Sequence, residues 1–256
     1  MAGRWRARGS AAALCVLLGL TAACGSGGSH SNTASHAPSG TSSAATQPPP
    51  SCLTDAEAQK NLRAVVLPSG DERQAAEWGS GSVGVLLSHQ SDGDLCQWRD
   101  YALTLAHRGY RALALSYQDA TPDEALAAVN TLRKDGAKTV VLLGASMGGT
   151  LSLATAARMS PPPVAVVSLS GPAVFNSVNA MAAVRKLRMP LFFAAGSLDQ
   201  PFASDARRLY RAATHASTRR LLMDAESGSH GVAFLDGGKV QKAMEAFLAR
   251  FAPPRG

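Results

Sequence analysis

From residue 52 onward, apolar and polar positions fall into two alternating rhythms. Short runs of aliphatic and β-branched side chains occur at Leu62–Leu67, Val83–Leu87, Ala112–Tyr117, Val140–Leu143, Val164–Leu169, Leu191–Ala194 and Arg220–Met223. Runs this short and this uniformly apolar suit strands covered on both faces. Between most of them apolar residues recur three and four apart. That spacing predicts helices over Cys96–Arg108, Asp123–Lys134, Gly149–Met159, Ser204–Ala213 and Lys239–Phe251. Strands that alternate with helices pair in parallel, because a parallel neighbour is reached through a crossover. The expected architecture is α/β, a mostly parallel, doubly wound sheet with helices on both faces. Such a sheet holds its chemistry in the loops beyond the carboxyl ends of its strands.

The residues ahead of 52 follow neither rhythm. Arg4, Arg6 and Arg8 give a positive start, Ala11 to Ala23 is apolar, and Leu20-Thr-Ala-Ala-Cys24 closes with small residues. This is the layout of a secretory signal, and its apolar run is well short of the roughly 20 residues that cross a bilayer. The ending on Cys24 resembles the lipobox of bacterial lipoproteins, with Thr21 where Leu or Val is more usual. The resemblance implies removal of residues 1–23, lipidation of Cys24 and anchoring to the membrane outside the cytoplasm. No Arg-Arg pair occurs among the first 24 residues, which favours export of an unfolded chain. Residues 24–51 are rich in Ser, Thr, Gly and Pro and cannot bury enough apolar surface to order themselves. They read as a tether with an r.m.s. span of roughly 30 Å. The remainder, 52–256, forms the folded domain.

Composition narrows the function. With 46% hydrophobic and 17% charged residues among 256, the chain can bury one sizeable core. Its formal charge of +7 falls to about +4 once the three signal arginines are removed, and no basic run or aromatic platform accompanies it. Nucleic acid is therefore not an expected partner. Of the four cysteines, Cys15 lies in the signal and Cys24 is the lipid site, leaving Cys52 and Cys96. One pair in an exported domain predicts a disulfide. No metal or cofactor motif appears, neither His-Glu-x-x-His, Cys-x-x-Cys nor a phosphate loop. Asp92, Gly93 and Asp94 offer too few oxygens for a calcium loop and suit a turn.

Candidate chemistry centres on Gly144-Ala-Ser146-Met-Gly148, between the run Val140–Leu143 and a helical segment. A Ser in a strained strand-to-helix turn needs small neighbours, because the two backbones come close there. Its hydroxyl becomes nucleophilic when a base takes its proton. Asp199 and His230 follow in the order Ser, acid, His, each in a loop after a strand run. His230 is the expected base and Asp199 the residue that sets its tautomer. Asp205 and Asp224 are rival acids, and His89, His107 and His215 rival bases.

The stretch Val85-Leu-Leu-Ser-His-Gln-Ser-Asp-Gly-Asp-Leu-Cys-Gln-Trp98 adds a His-Gln pair at the end of an early strand. With the Ser146 motif, it resembles the α/β-hydrolase fold family over residues 60–252, and in particular compact members similar to dienelactone hydrolases. The resemblance implies a sheet of about eight strands without a cap domain. It also implies oxyanion donors at the backbone amides of Gln90 and Met147, with Gln90 in the place of the usual Gly. Where family members with bulky substrates insert a cap, between the runs Val164–Leu169 and Leu191–Ala194, residues 171–190 leave room for one short helix. The site should be shallow, with Phe175, Phe202, Trp98 and Met147 available for a small apolar patch. The expected activity is hydrolysis of small or short-chain carboxylic esters by a serine esterase. The alternatives are a surface-anchored binding protein on the same fold and an acyltransferase using the same three residues.

Overall fold

The computed structural model describes residues 48–254. The expected signal, Cys24 and most of the expected tether lie outside the described residues. The chain opens with α1 (Asp55–Asn61), β1 (Leu62–Val66), β2 (Glu72–Trp78) and β3 (Val83–Ser88). A 3-10 turn at Leu95–Trp98 leads into α2 (Arg99–His107), followed by β4 (Arg111–Leu115), α3 (Pro122–Lys134), β5 (Thr139–Ala145), α4 (Met147–Ala156) and β6 (Ala165–Leu169). A small hairpin, β7 (Val174–Phe175) and β8 (Val178–Asn179), precedes α5 (Ala180–Val184) and β9 (Leu191–Gly196). Then come α6 (Phe202–Ala212), β10 (Arg219–Asp224), a 3-10 turn at Gly231–Phe234 and α7 (Lys239–Phe251).

Eight strands form one sheet in the order β1-β2-β4-β3-β5-β6-β9-β10. From β4 to β10 all neighbours are parallel; β2 runs antiparallel to both β1 and β4. The central strands β3, β5, β6 and β9 are buried along all or nearly all of their length, so one apolar layer lies on each side of them. Trp98, Leu105, Phe192 and Phe247 belong to one layer, and Leu86, Leu132, Leu142 and Phe193 to the other. No helix among the described residues is long and apolar enough to cross a membrane.

The sequence pattern missed β2, and burial of its charges explains why. Arg73 is buried with its Nε donating to Glu124 Oε1 at 2.5 Å and Nη2 to Asp119 Oδ2 at 2.7 Å. Glu77 is buried against Arg111 at 2.7 Å. Glu124 also closes the capping box of α3 with Thr121. Burial opposes its ionisation, yet the bonds from Arg73 and from the Gln118, Thr121 and Asp119 amides hold its carboxyl below the ordinary value. Cys52 and Cys96 are disulfide-bonded as predicted, joining the segment ahead of α1 to the 3-10 turn ahead of α2. The segment between β6 and β9 holds the expected short helix, α5, plus the unforeseen hairpin.

Candidate active site

Ser146 stands alone between β5 and α4, at φ +50° and ψ −119°. A non-glycine residue in this region costs about 1–3 kcal/mol and persists where its surroundings enforce it. The surroundings are tight. A side chain at Gly144 would collide with the Gly148 carbonyl oxygen, and one at Gly148 with the Ser88 carbonyl oxygen. At Gly149 it would reach within 2.7 Å of Ser168 Oγ. Ser146 N–H donates to Leu169 O at 2.8 Å, tying the elbow to the end of β6. The residue is 8% exposed, and Met147 beside it packs with Leu151, Val178 and Phe175.

Asp199 and His230 meet across two loops. His230 Nδ1 lies 2.8 Å from Asp199 Oδ2, which also accepts the Ser170 hydroxyl at 2.8 Å. Ser170 Oγ in turn accepts the Gly231 N–H at 3.2 Å. Because Ser170 directly follows Leu169, the partner of the Ser146 amide, one short stretch at the end of β6 anchors all three candidate residues. The loops are further stitched by Ser197 N–H to Asp224 O at 2.8 Å, Leu198 N–H to Ser227 O at 2.9 Å and Glu226 N–H to Ser197 Oγ at 2.8 Å. A carboxylate at Nδ1 fixes the proton there and leaves Nε2 free to accept. The Phe202 ring covers the imidazole, with centroids 4.4 Å apart.

Two of the rivals, Asp205 and His89, have other employment. Asp205 accepts the Ala173 N–H at 2.9 Å and pairs with Arg208. His89 is buried: Tyr117 N–H donates to its Nε2 at 2.9 Å, so Nδ1 carries the proton and donates to Gln90 O at 2.5 Å. Burial pushes the His89 imidazole below its ordinary value and keeps it neutral. His107 ends α2, and His215 lies exposed between α6 and β10.

The turn after β3 differs from expectation at its donor. Gln90 N–H is occupied, donating to Gln97 Oε1 at 3.0 Å. Its side chain is also committed: Oε1 accepts Val232 N–H at 2.8 Å and Nε2 donates to Asp92 Oδ1 at 3.2 Å. His89 grips the Gln90 carbonyl, so the trans peptide directs the Ser91 N–H the opposite way. Neither that amide nor the Met147 amide at the start of α4 has a hydrogen-bond partner among the described residues. The two segments adjoin, since Gly148 N–H donates to His89 O at 3.1 Å. Trp98 is wholly buried in the core and takes no part in an apolar patch, whereas Phe175, Phe202 and Met147 lie beside the candidate residues. Asp94 caps the 3-10 turn by accepting Cys96 N–H at 2.7 Å, the turn-shaping part expected of it. Sequence reasoning missed Ser170; its positive φ of 51° leaves no signature in a stretch reading Leu-Ser-Gly.

A family model described as "Dienelactone hydrolase family" matches residues 97–243, more than half of the chain. The turn at 89–94 lies ahead of that segment. A search of curated proteins finds no match. Among solved structures, the chain is similar to an esterase of Pyrococcus furiosus, with 13% identity over 74% of this chain and 90% of that one, at a TM-score of 0.65. It is also similar to a dienelactone hydrolase of Anabaena variabilis, with 19% identity over 74% and 94%, at 0.61. An esterase domain from Rhodothermus marinus gives 19% over 74% and 98%, at 0.58. At these identities the structural likeness concerns the fold.

Proposed function

Because the chain belongs to the dienelactone hydrolase family, we propose that it hydrolyses compact carboxylic esters through an acyl-enzyme on Ser146. The observation that carries this reading is the stretch Leu169–Ser170, which holds the Ser146 amide on one side and the Asp199–His230 pair on the other. Ser146 Oγ attacks the ester carbonyl while His230 Nε2 takes its proton, and Asp199 steadies the resulting imidazolium through Nδ1–H. The carbonyl oxygen gains negative charge and meets the amides of Met147 and Ser91, since that of Gln90 is engaged with Gln97. One such donor is worth about 3–4 kcal/mol in the transition state. His230 then passes its proton to the departing alcohol, and water repeats the sequence to release the acid.

Compactness of the substrate follows from the short segment between β6 and β9, a hairpin and one helix of five residues. A p-nitrophenyl ester series from acetyl to palmitoyl tests it. Acetyl or butyryl should give the highest kcat/KM, with palmitoyl at least roughly tenfold lower. A maximum at long acyl chains, or no turnover across the series, would reject the reading. We also propose that the domain is exported and held to the membrane by lipid on Cys24, a reading supported by the Cys52–Cys96 disulfide, which suits an oxidising compartment. Cys24→Ala should move the protein from the membrane to the soluble fraction. Equal partitioning of variant and parent would exclude the anchor.

A further inference from the structure

Gln90 occupies the point where the turn after β3 meets the loop of His230. Its carboxamide oxygen accepts the N–H of Val232, two residues beyond His230, at 2.8 Å. Its nitrogen donates to Asp92 Oδ1 at 3.2 Å. The identity of the two ends is set by their partners, a backbone donor for one and a carboxylate for the other. Gln97 closes the arrangement: its Oε1 takes the Gln90 N–H at 3.0 Å and its Nε2 reaches the same Asp92 oxygen at 3.3 Å. Gln90, Asp92 and Gln97 thus form a ring that aims the Gln90 oxygen in one direction. Gly231 completes the fit, since any side chain there would collide with that oxygen. Gln90 is 9% exposed, so water offers little substitute for its partners.

Gln90 also spans the site. Through its backbone it is bonded to His89, whose carbonyl holds the Gly148 amide beside the nucleophile. Through its side chain it holds the segment that carries the base. The Asp92 carboxyl sits below its ordinary value because Gln90 and Gln97 donate to it.

We propose that Gln90 is a positioning residue that links the nucleophile turn to the histidine loop, holding the imidazole in register with Ser146, with Asp92 and Gln97 fixing its orientation. The inference rests on the triad reading above. A loop displaced by even about 1 Å can cost about 100-fold in turnover without weakening substrate binding.

The test compares four proteins with p-nitrophenyl acetate. Gln90→Met keeps the length of the side chain and removes both hydrogen bonds. It should lower kcat by about 30- to 100-fold with KM within about threefold of the parent. Asp92→Ala, at an exposed position, loosens the ring without touching the core and should lower kcat about three- to tenfold. The double variant Gln90→Glu with Asp92→Asn reverses donor and acceptor between positions 90 and 92 while keeping an acceptor for Val232. It should restore kcat to within about fivefold of the parent. Parent kcat in Gln90→Met, or a fall that only tracks the folded fraction, would overturn the proposal. Should Gln90→Met not fold, parent kcat in Asp92→Ala overturns it, as does failure of the folded double variant to recover turnover. A fluorophosphonate probe separates this outcome from failure of the triad reading. An unlabelled parent removes the triad, whereas a labelled, active parent beside an equally active Gln90→Met removes the positioning role alone.

Discussion

Ser146→Ala is expected to lower kcat for p-nitrophenyl acetate by at least about 10⁴-fold and to abolish fluorophosphonate labelling. The magnitude follows from what the change removes and what it leaves. It deletes the atom that would carry the acyl group, and His230 then has no proton to take. The amides that would receive the developing oxyanion remain, so residual rate enhancement of roughly 10³ over water can persist. The fold should tolerate the change, because alanine meets the same backbone constraint at φ +50° that serine already meets. Far-ultraviolet circular dichroism and the urea midpoint should therefore match the parent. A variant retaining more than about one hundredth of parental turnover would place the nucleophile elsewhere.

Gly148→Ala is expected to cost the fold about 3 kcal/mol or more. The new methyl group would fall on the backbone carbonyl of Ser88, and neither partner is a flexible side chain that could swing aside. Relief would require α4 to move off β3, breaking the Gly148–His89 hydrogen bond of 3.1 Å and opening the apolar layer that Leu153 and Ala156 of α4 help to build. Gly228 provides the control: nothing lies within 4 Å of a methyl group there, so Gly228→Ala should shift stability by less than about 0.5 kcal/mol. Urea unfolding of both variants checks the contrast. Equal midpoints would mean that the elbow is looser than its geometry.

How much of this was readable in advance depended on whether a residue's burial matched its chemistry. The strands β3, β5, β6 and β9 were legible because most of their positions are apolar and nearly all lie buried between two layers. The elbow was legible because steric exclusion acts on the sequence directly, admitting only Gly at 144, 148 and 149. β2 was opaque, since Arg73 and Glu77 are charged in the sequence yet neutralised in the interior by Glu124 and Arg111, residues far along the chain. α1 escaped notice although Thr54 and Glu57 spell a capping box, because its seven residues include little apolar periodicity. The oxyanion turn shows a subtler limit. A backbone amide leaves no mark on residue type, so whether Gln90 N–H was free depended on the Gln97 side chain seven positions away.

The Cys52–Cys96 bond sets how the domain would bear mechanical load. Tension entering at residue 48 reaches Cys52 and crosses the sulfur bridge to Cys96, bypassing the 43 residues between them. Among those bypassed are α1 and the edge strand β1, the parts a pull from that end would otherwise peel away first. Force is delivered instead to the 3-10 turn that Leu95 and Trp98 anchor in the core, so a tug on the leading segment would be felt at the turn holding Gln97 before any strand left the sheet.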